Sequence, residues 1–323
     1  MFTSLFIFNL IVLLTCDGIL QQRHDHHPGL PKIFFVNSTI IKLSSMSIMK
    51  NGFWFKRKIP HVNVVNVSDA DYLLFEYTIA SNNFLDLVNA LKPLHDFAKN
   101  SNKPMIVFVL SDREKGFQNT NNLIIFRTSI LKSTRNKNEY VYPYLTEGSP
   151  PYPPLGKDRG DGRPIVGFQG SCGNNTYRYD LIEEVTRNPL IQSNITVRKS
   201  FGFFHMKGEF EENIRSSHFV ICSRGAGNWS MRFYQVLEFG RIPILIDSDM
   251  LFPFESEIDW DSIIVRGRNS SEVVRKLLDW WNNRDVVEIQ RACRRIHETY
   301  FTRQRFFSQI TNIISNYQLA SRF

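Results

Sequence analysis

Four short apolar runs limit what the first half of this chain can fold into: KIFFV (Lys32 to Val36), YLLFEY (Tyr72 to Tyr77), MIVFVL (Met105 to Leu110) and LIIF (Leu123 to Phe126). Each is bounded by polar or turn residues, and each is too short for a helix and too continuously apolar for a strand with one wet face, so they read as buried strands. Between the second and third, Asn83 to Lys99 carries Phe84, Leu87, Val88, Leu91, Leu94 and Phe97 at helical spacing, with Pro93 expected to break or kink the helix. Strand, helix, strand with both strand faces covered implies a parallel α/β sheet.

Ser149 to Pro164, SPPYPPLGKDRGDGRP, is the sharpest composition shift in the chain and can hold neither a helix nor a central strand. The alternation then restarts. PIVGFQG (Pro164 to Gly170) is followed by a helix around Tyr179 to Arg187, a strand near Ile195, a helix across Phe210 to Arg215 and the apolar run ending at Cys222. Further helices are expected over Glu272 to Trp281, Glu288 to Tyr300 and Arg303 to Tyr317. A length of 323 residues suits two domains of ordinary size. The expected division is an α/β lobe over residues 32–148, a linker over 149–164, a second α/β lobe over 165–282 and C-terminal helices over 283–323.

Phe2 to Cys16 is apolar except for Thr3, Ser4, Asn9 and Thr15, and a polar stretch follows, so residues 1–22 read as a signal peptide or short membrane anchor and 23–31 as a stem. The run His24-Asp25-His26-His27 falls in that stem rather than in a metal site. Six acceptor sequons begin at Asn37, Asn66, Asn174, Asn194, Asn228 and Asn269, in keeping with a glycoprotein of the secretory pathway. Cys172, Cys222 and Cys293 are an odd set outside the leader; they allow one disulfide at most and do not make a zinc site. The net charge of +8 favours anionic ligands or membrane surfaces, but the basic residues are dispersed. Their richest stretch, Arg291 to Arg305, reads as a helix with charged faces, which argues against nucleic acid as a partner.

The segment HFVICSRGAGNWSMRFYQVLEFG reads as a strand ending at Cys222, a loop with Gly225 and Gly227, and a helix from about Ser230 to Phe239 stopped by Gly240. A glycine loop feeding a helix N-terminus presents free backbone N–H groups, where phosphates bind well. Arg224 and Arg232 add cations whose geometry matches phosphate oxygens. An ordinary strand-to-helix turn is the alternative.

The ordered series of Val166-Gly167-Phe168-Gln169-Gly170 with Arg178 after it, Cys-x-Arg-Gly, Trp-Ser-x-Arg, Gly-x-Ile-Pro, Phe-Pro-Phe and Ile-Asp-Trp resembles the C-terminal half of exostosin-family glycosyltransferases. The looser features Ala70-Asp71-Tyr72, Lys103-Pro104 with Ser111-Asp112, and Phe126-Arg127-Thr128-Ser129 are similar to that family's first lobe. The resemblance implies two Rossmann-like lobes of GT-B type, a nucleotide sugar (a UDP-sugar) on the second lobe, a glycan acceptor in the cleft, and inverting transfer at a lumen-facing Golgi membrane. It places Gly170, Arg178, Arg224, Gly225, Asn228, Ser230 and Arg232 around the donor. It implies no metal cofactor, because helix ends and cations carry the leaving diphosphate.

Where the family usually has Asp or Glu, this chain has Gln235, a neutral and weaker acceptor for ribose hydroxyls. Glu238, near one helical turn further on, is the candidate substitute. Asp247-Ser248-Asp249 imitates the metal-binding Asp-x-Asp of the other large glycosyltransferase fold, and also suits a loop-capping pair. His205 and His218 stand alone and read as structural, while Trp229 suits either stacking on a base or sugar or packing. An inverting transfer needs a general base, and Asp69, Asp71, Glu76, Asp112 and Glu114 qualify by type. The alternative function is a degenerate member that binds a glycan or partner without transferring sugar.

Overall fold

A computed structural model describes residues 31–36, 48–49, 63–146, 148–173, 175–198, 207–310 and 313. The leader, residues 23–30 of the stem, the sequons at Asn37 and Asn174, His205 and the end of the helix expected over Arg303 to Tyr317 lie outside the described residues.

The first sheet takes strands β1 (Lys32–Val36), β2 (Ile48–Met49), β3 (Asn63–Val64), β4 (Tyr72–Ala80), β5 (Met105–Leu110), β6 (Leu123–Arg127) and β7 (Glu139–Val141). They lie in the order β3-β1-β4-β5-β6-β7, all parallel, with β2 antiparallel against β4. The apolar runs are buried on both faces, as continuous hydrophobicity requires. Helix α1 (Phe84–Asn100) starts at Asn83, whose side chain accepts from Leu85 N, and covers one face through Leu87, Ala90, Leu91, Leu94 and Ala98.

The expected break at Pro93 does not occur: α1 runs through it unbroken. A proline inside a helix costs about 3 kcal/mol, and burial of several leucines at about 1.5–3 kcal/mol each outweighs that.

The second sheet takes β8 (Ile165–Ser171), β9 (Gln192–Arg198), β10 (Phe219–Ile221), β11 (Ile242–Ile246) and β12 (Val265–Gly267) in the order β12-β11-β10-β8-β9, entirely parallel. Its helices are α2 (Thr176–Arg187), α3 (Lys207–Arg215), α4 (Met231–Glu238) and α5 (Ser270–Asn283). Two α/β lobes are therefore present, each with its own hydrophobic core.

The chain then returns. Helix α6 (Val286–Ile296) and a π-helical turn (His297–Phe301) pack on the second lobe, whereas Phe306, Phe307 and Ile310 in a final helix over 303–310 join Ile33, Phe35, Ile106 and Phe108 in the first lobe's core. The outgoing and returning segments pair where they cross: Thr146 bridges Thr302, and Arg303 N donates to Thr146 O at 3.1 Å. Among the described residues no helix is long and apolar enough to cross a membrane.

Candidate active site

The loops that touch across the lobes all leave the C-terminal ends of strands: residues 111–117 after β5, 128–134 after β6, 222–230 after β10 and 247–250 after β11. Parallel sheets place their sites at that edge.

On the second lobe, β10 delivers the chain into the glycine loop. Asn175, the N-cap of α2, donates through Nδ2 to Arg224 O at 2.6 Å and Gly225 O at 2.9 Å, and Gly225 N closes on Trp229 O at 3.0 Å. The loop is thus held from its own lobe. Ser230 is the N-cap of α4, buried, and makes no capping bond with its side chain, so a hydroxyl and the helix's first N–H groups stand together.

Two guanidinium groups converge on this point. Arg178 donates to Ser171 O at 2.7 Å and Ser223 O at 3.3 Å, while Arg232 donates to Gln169 O and lies 4.3 Å over the Phe168 ring. Among the described residues neither pairs with a carboxylate, and Arg232 Nε is buried without a hydrogen-bond partner. Burial pushes the Arg232 guanidinium down to about 10, with Arg178 adding repulsion; burial lowers Arg178 as well. Both remain charged at neutral pH. Cations half-buried without a counter-charge are costly, so this arrangement is suited to binding an anion. Gly170 lies beside them at φ +156°, where L side chains are strained, and a Cβ there would also displace the end of the Arg232 side chain.

Arg224 behaves differently. It pairs with Glu114 of the first lobe, with both side chains largely buried. Asn228 is also pinned across the cleft: its N donates to Ser129 Oγ at 2.8 Å, its Nδ2 to Ile130 O at 3.3 Å, and its Oδ1 accepts from Ser248 Oγ at 2.6 Å.

Of the base candidates, the structure brings Glu114, already paired with Arg224, and Asp112 to the cleft. Its Oδ1 accepts the Trp229 indole N–H at 2.8 Å, its Oδ2 accepts from Asn82 Nδ2 at 3.2 Å, and its Cα lies where a Cβ on Gly227 would come within 2.7 Å. Trp229 is accordingly used as a donor across the lobes. Asp69 and Asp71 are not brought there. They precede β4, and Asp71 accepts from Lys32 N at the start of β1, which puts both at the opposite edge of the sheet. Glu76 is buried within β4, where the register against β5 shifts between Leu74 and Thr78.

Glu238 does not stand in for an acid at Gln235. It lies at the far end of α4 from Ser230, on the side of Ser149 and Thr146 of the crossing segment, and burial raises its pKa against the lowering influence of those two residues. Sequence spacing placed it on the donor face because helical periodicity carries no information about which end of a short helix meets the cleft.

Asp249 is also otherwise engaged. Its carboxylate accepts from Ser133 N at 3.1 Å and from the Ser133 hydroxyl, its carbonyl accepts from Lys132 N at 2.8 Å, and Asp247 Oδ1 caps Asp249 N at 3.0 Å. With the Leu131–Met250 bridge and the Lys132–Glu255 ion pair at 3.2 Å, this loop clasps one lobe to the other. Asp249 adopts φ +59°, a left-handed conformation that Asp tolerates better than most residues. Among the described residues no group of three or more His, Cys, Asp and Glu could hold a metal.

The residue pattern did not reveal the support beneath Asp112. Arg127, buried against Glu139 at 3.3 Å, donates to Arg113 O at 2.6 Å and Lys115 O at 2.9 Å, and Thr128 bonds Ser111 in both directions. A buried arginine with a carboxylate in the same strand pair was the available signal. His218 is structural, accepting from Ile165 N through Nδ1 at 3.0 Å and touching Gly156 O with Nε2 at 2.9 Å. Cys172, Cys222 and Cys293 are free and buried.

Residues 105–279 match the family model for the exostosin GT47 domain. Similar curated proteins include an exostosin-1 homolog of Caenorhabditis elegans, 30% identical over 94 residues that make up 28% of this chain and 24% of that one. A probable glucuronosyltransferase 47 A of Physcomitrium patens is 30% identical over 83 residues, 25% of this chain and 18% of that one. A probable beta-1,4-xylosyltransferase IRX10 of Arabidopsis thaliana is 33% identical over 54 residues, 17% of this chain and 13% of that one. The matched stretches span about a quarter or less of these relatives. Among solved structures, the GtfA/B complex is similar over 76% of this chain and 57% of that one, at 8% identity and a TM-score of 0.45.

Proposed function

The chain belongs to the exostosin GT47 family, and from that premise we propose that it transfers a sugar from a UDP-sugar to a glycan acceptor, with inversion, in the lumen of the secretory pathway. The observation that carries this reading is the pair Arg178 and Arg232, two half-buried cations without carboxylate partners at the head of α4. A donor diphosphate there would satisfy Arg232 Nε and offset the repulsion between the two guanidinium groups. Because the negative charge on the diphosphate grows as the sugar departs, the same groups would bind the transition state more tightly than the ground state.

Asp112 would be the general base. It would take the proton of the acceptor hydroxyl as that oxygen attacks the anomeric carbon from the face opposite the departing diphosphate, and Trp229 and Asn82 would hold its carboxylate in place. Asn228 and Gly225 would shape the loop around the donor.

A second reading rests on one observation: Gln235 is neutral, and Glu238 is turned to the crossing segment. A donor pocket without an acid for the ribose suits a protein that binds a glycan or partner and does not transfer sugar.

Titration calorimetry with UDP, GDP and the corresponding sugar nucleotides, followed by a donor-hydrolysis assay, tests both. Nucleotide binding with turnover is expected. Binding without hydrolysis or transfer would favour the second reading, and no nucleotide binding by folded protein would end the first.

A further inference from the structure

Four of the six sequons lie among the described residues, and the structure treats them differently. Asn228 is buried between the lobes with its Nδ2 on Ile130 O, so a glycan on that atom would occupy the interface. Asn194, in β9, directs Nδ2 to Ser216 Oγ at 3.1 Å and Ser217 Oγ at 3.4 Å. Asn66 is exposed ahead of a turn. Asn269 joins exposure to a specific structural use of one end of its amide.

Asn269 follows β12 and is the N-cap of α5, its Oδ1 accepting from Glu272 N at 2.9 Å. It is exposed, as is Ser271, whose hydroxyl completes the sequon. Among the described residues its Nδ2 has no hydrogen-bond partner. N-linked sugar is joined through Nδ2 and leaves Oδ1 in place, so the cap and the modification use different atoms of the same side chain. The usual conflict between a structural asparagine and a modified one is therefore absent.

We propose that Asn269 carries an N-linked glycan and continues to cap α5 once modified. The glycan donor is an oligosaccharide on a polyprenyl diphosphate. The Nδ2–anomeric carbon bond forms as the anomeric carbon–oxygen bond breaks, the polyprenyl diphosphate leaves with the bonding pair, and the amide gives up one proton to a base of the host transferase. The proposal rests on the lumenal placement put forward above.

The test is expression of the full chain in glycosylating eukaryotic cells, fractionation, and treatment with an amidase that converts each glycosylated Asn to Asp in heavy-oxygen water, with the marked peptides read by mass spectrometry. Asn269 should be marked and Asn228 unmarked in protein recovered from the lumen. Ser271→Ala should lose the mark and, with both proteins trimmed by an endoglycosidase that leaves one sugar on each modified asparagine, melt with the wild type. Asn269→Ala should lose the mark and also melt lower by about 2 °C, since the cap goes too. An unmarked Asn269 in lumenal protein overturns the modification, and trimmed wild type, with its sugar on Asn269, that melts as low as Asn269→Ala overturns the retained cap. Protein found only outside the lumen overturns the compartment and the modification together.

Discussion

At the scale of single residues, the site is defined by which charges have partners. Among the described residues Arg178 and Arg232 have carbonyl and aromatic partners but no carboxylate, whereas Arg224 faces Glu114. If the first two meet a leaving diphosphate, Arg232→Ala should lower kcat/KM by roughly 100-fold or more, the usual loss for one donor to developing charge. Asp249→Ala and added chelator should each cost far less, because Asp249 serves the clasp to Ser133; steady-state kinetics of the two variants decides between them. The Glu114 carboxylate occupies Arg224 in the bare fold, so a donor phosphate must compete for it. Glu114→Gln is accordingly predicted to tighten UDP binding by about 3- to 10-fold, the worth of one partly buried pair. Weaker binding in calorimetry would sink that idea. The residue pattern revealed Arg224 and Arg232 through their spacing from the glycine loop, and the family resemblance pointed to Arg178, but neither revealed their partners, since Glu114 lies 110 positions away from Arg224.

Among the elements, the short connections matter more than the strands they join. The glycine loop is held from below by Asn175 and from across the cleft by Asp112 and Ser129. Gly227 sits at the closest approach, where a Cβ would come within 2.7 Å of the Asp112 Cα and 2.8 Å of the Trp229 ring. Backbone cannot yield as a flexible side chain can. Gly227→Ala should therefore push the two loops apart at a cost of about 1–3 kcal/mol and lower kcat while each lobe stays folded. Unchanged turnover with unchanged protection of residues 111–117 from hydrogen exchange would count against it. Most strands and helices were legible in the chain because their apolar periodicity is local. β2, β3, β7 and β12 were not: two or three residues each, they exist only by pairing with β4, β1, β6 and β11. Helix α1 was legible from the same periodicity, and only the break at Pro93 did not occur, a local rule about proline overridden by burial.

For the whole molecule, the lobes are joined twice by chain and several times by loops. Where the two crossings meet, His297 is fully buried, with Nε2 2.9 Å from Thr146 Oγ1, and burial lowers its pKa to about 3. A histidine depressed in the fold binds its proton more readily when unfolded, so its contribution is intact above the unfolded value near 6.5 and is lost as pH falls from there toward 3. At pH 5 that loss amounts to about 2 kcal/mol. The melting temperature should fall between pH 7 and pH 5, and His297→Gln should flatten that slope; an identical slope in the variant would rule His297 out as its source. The sequence by itself determined the α/β class, the two lobes and the strand, glycine loop and helix that run from β10 into α4, because strand burial and helix periodicity are written within a dozen neighbouring residues. Only the tertiary structure decided that Asp112 rather than Asp69 or Asp71 reaches the cleft, that Asp249 clasps the lobes, that Glu238 faces the crossing segment and that the last helix returns to the first lobe. Those outcomes depend on which strand edge meets which loop across more than a hundred residues of chain, and no local pattern encodes that.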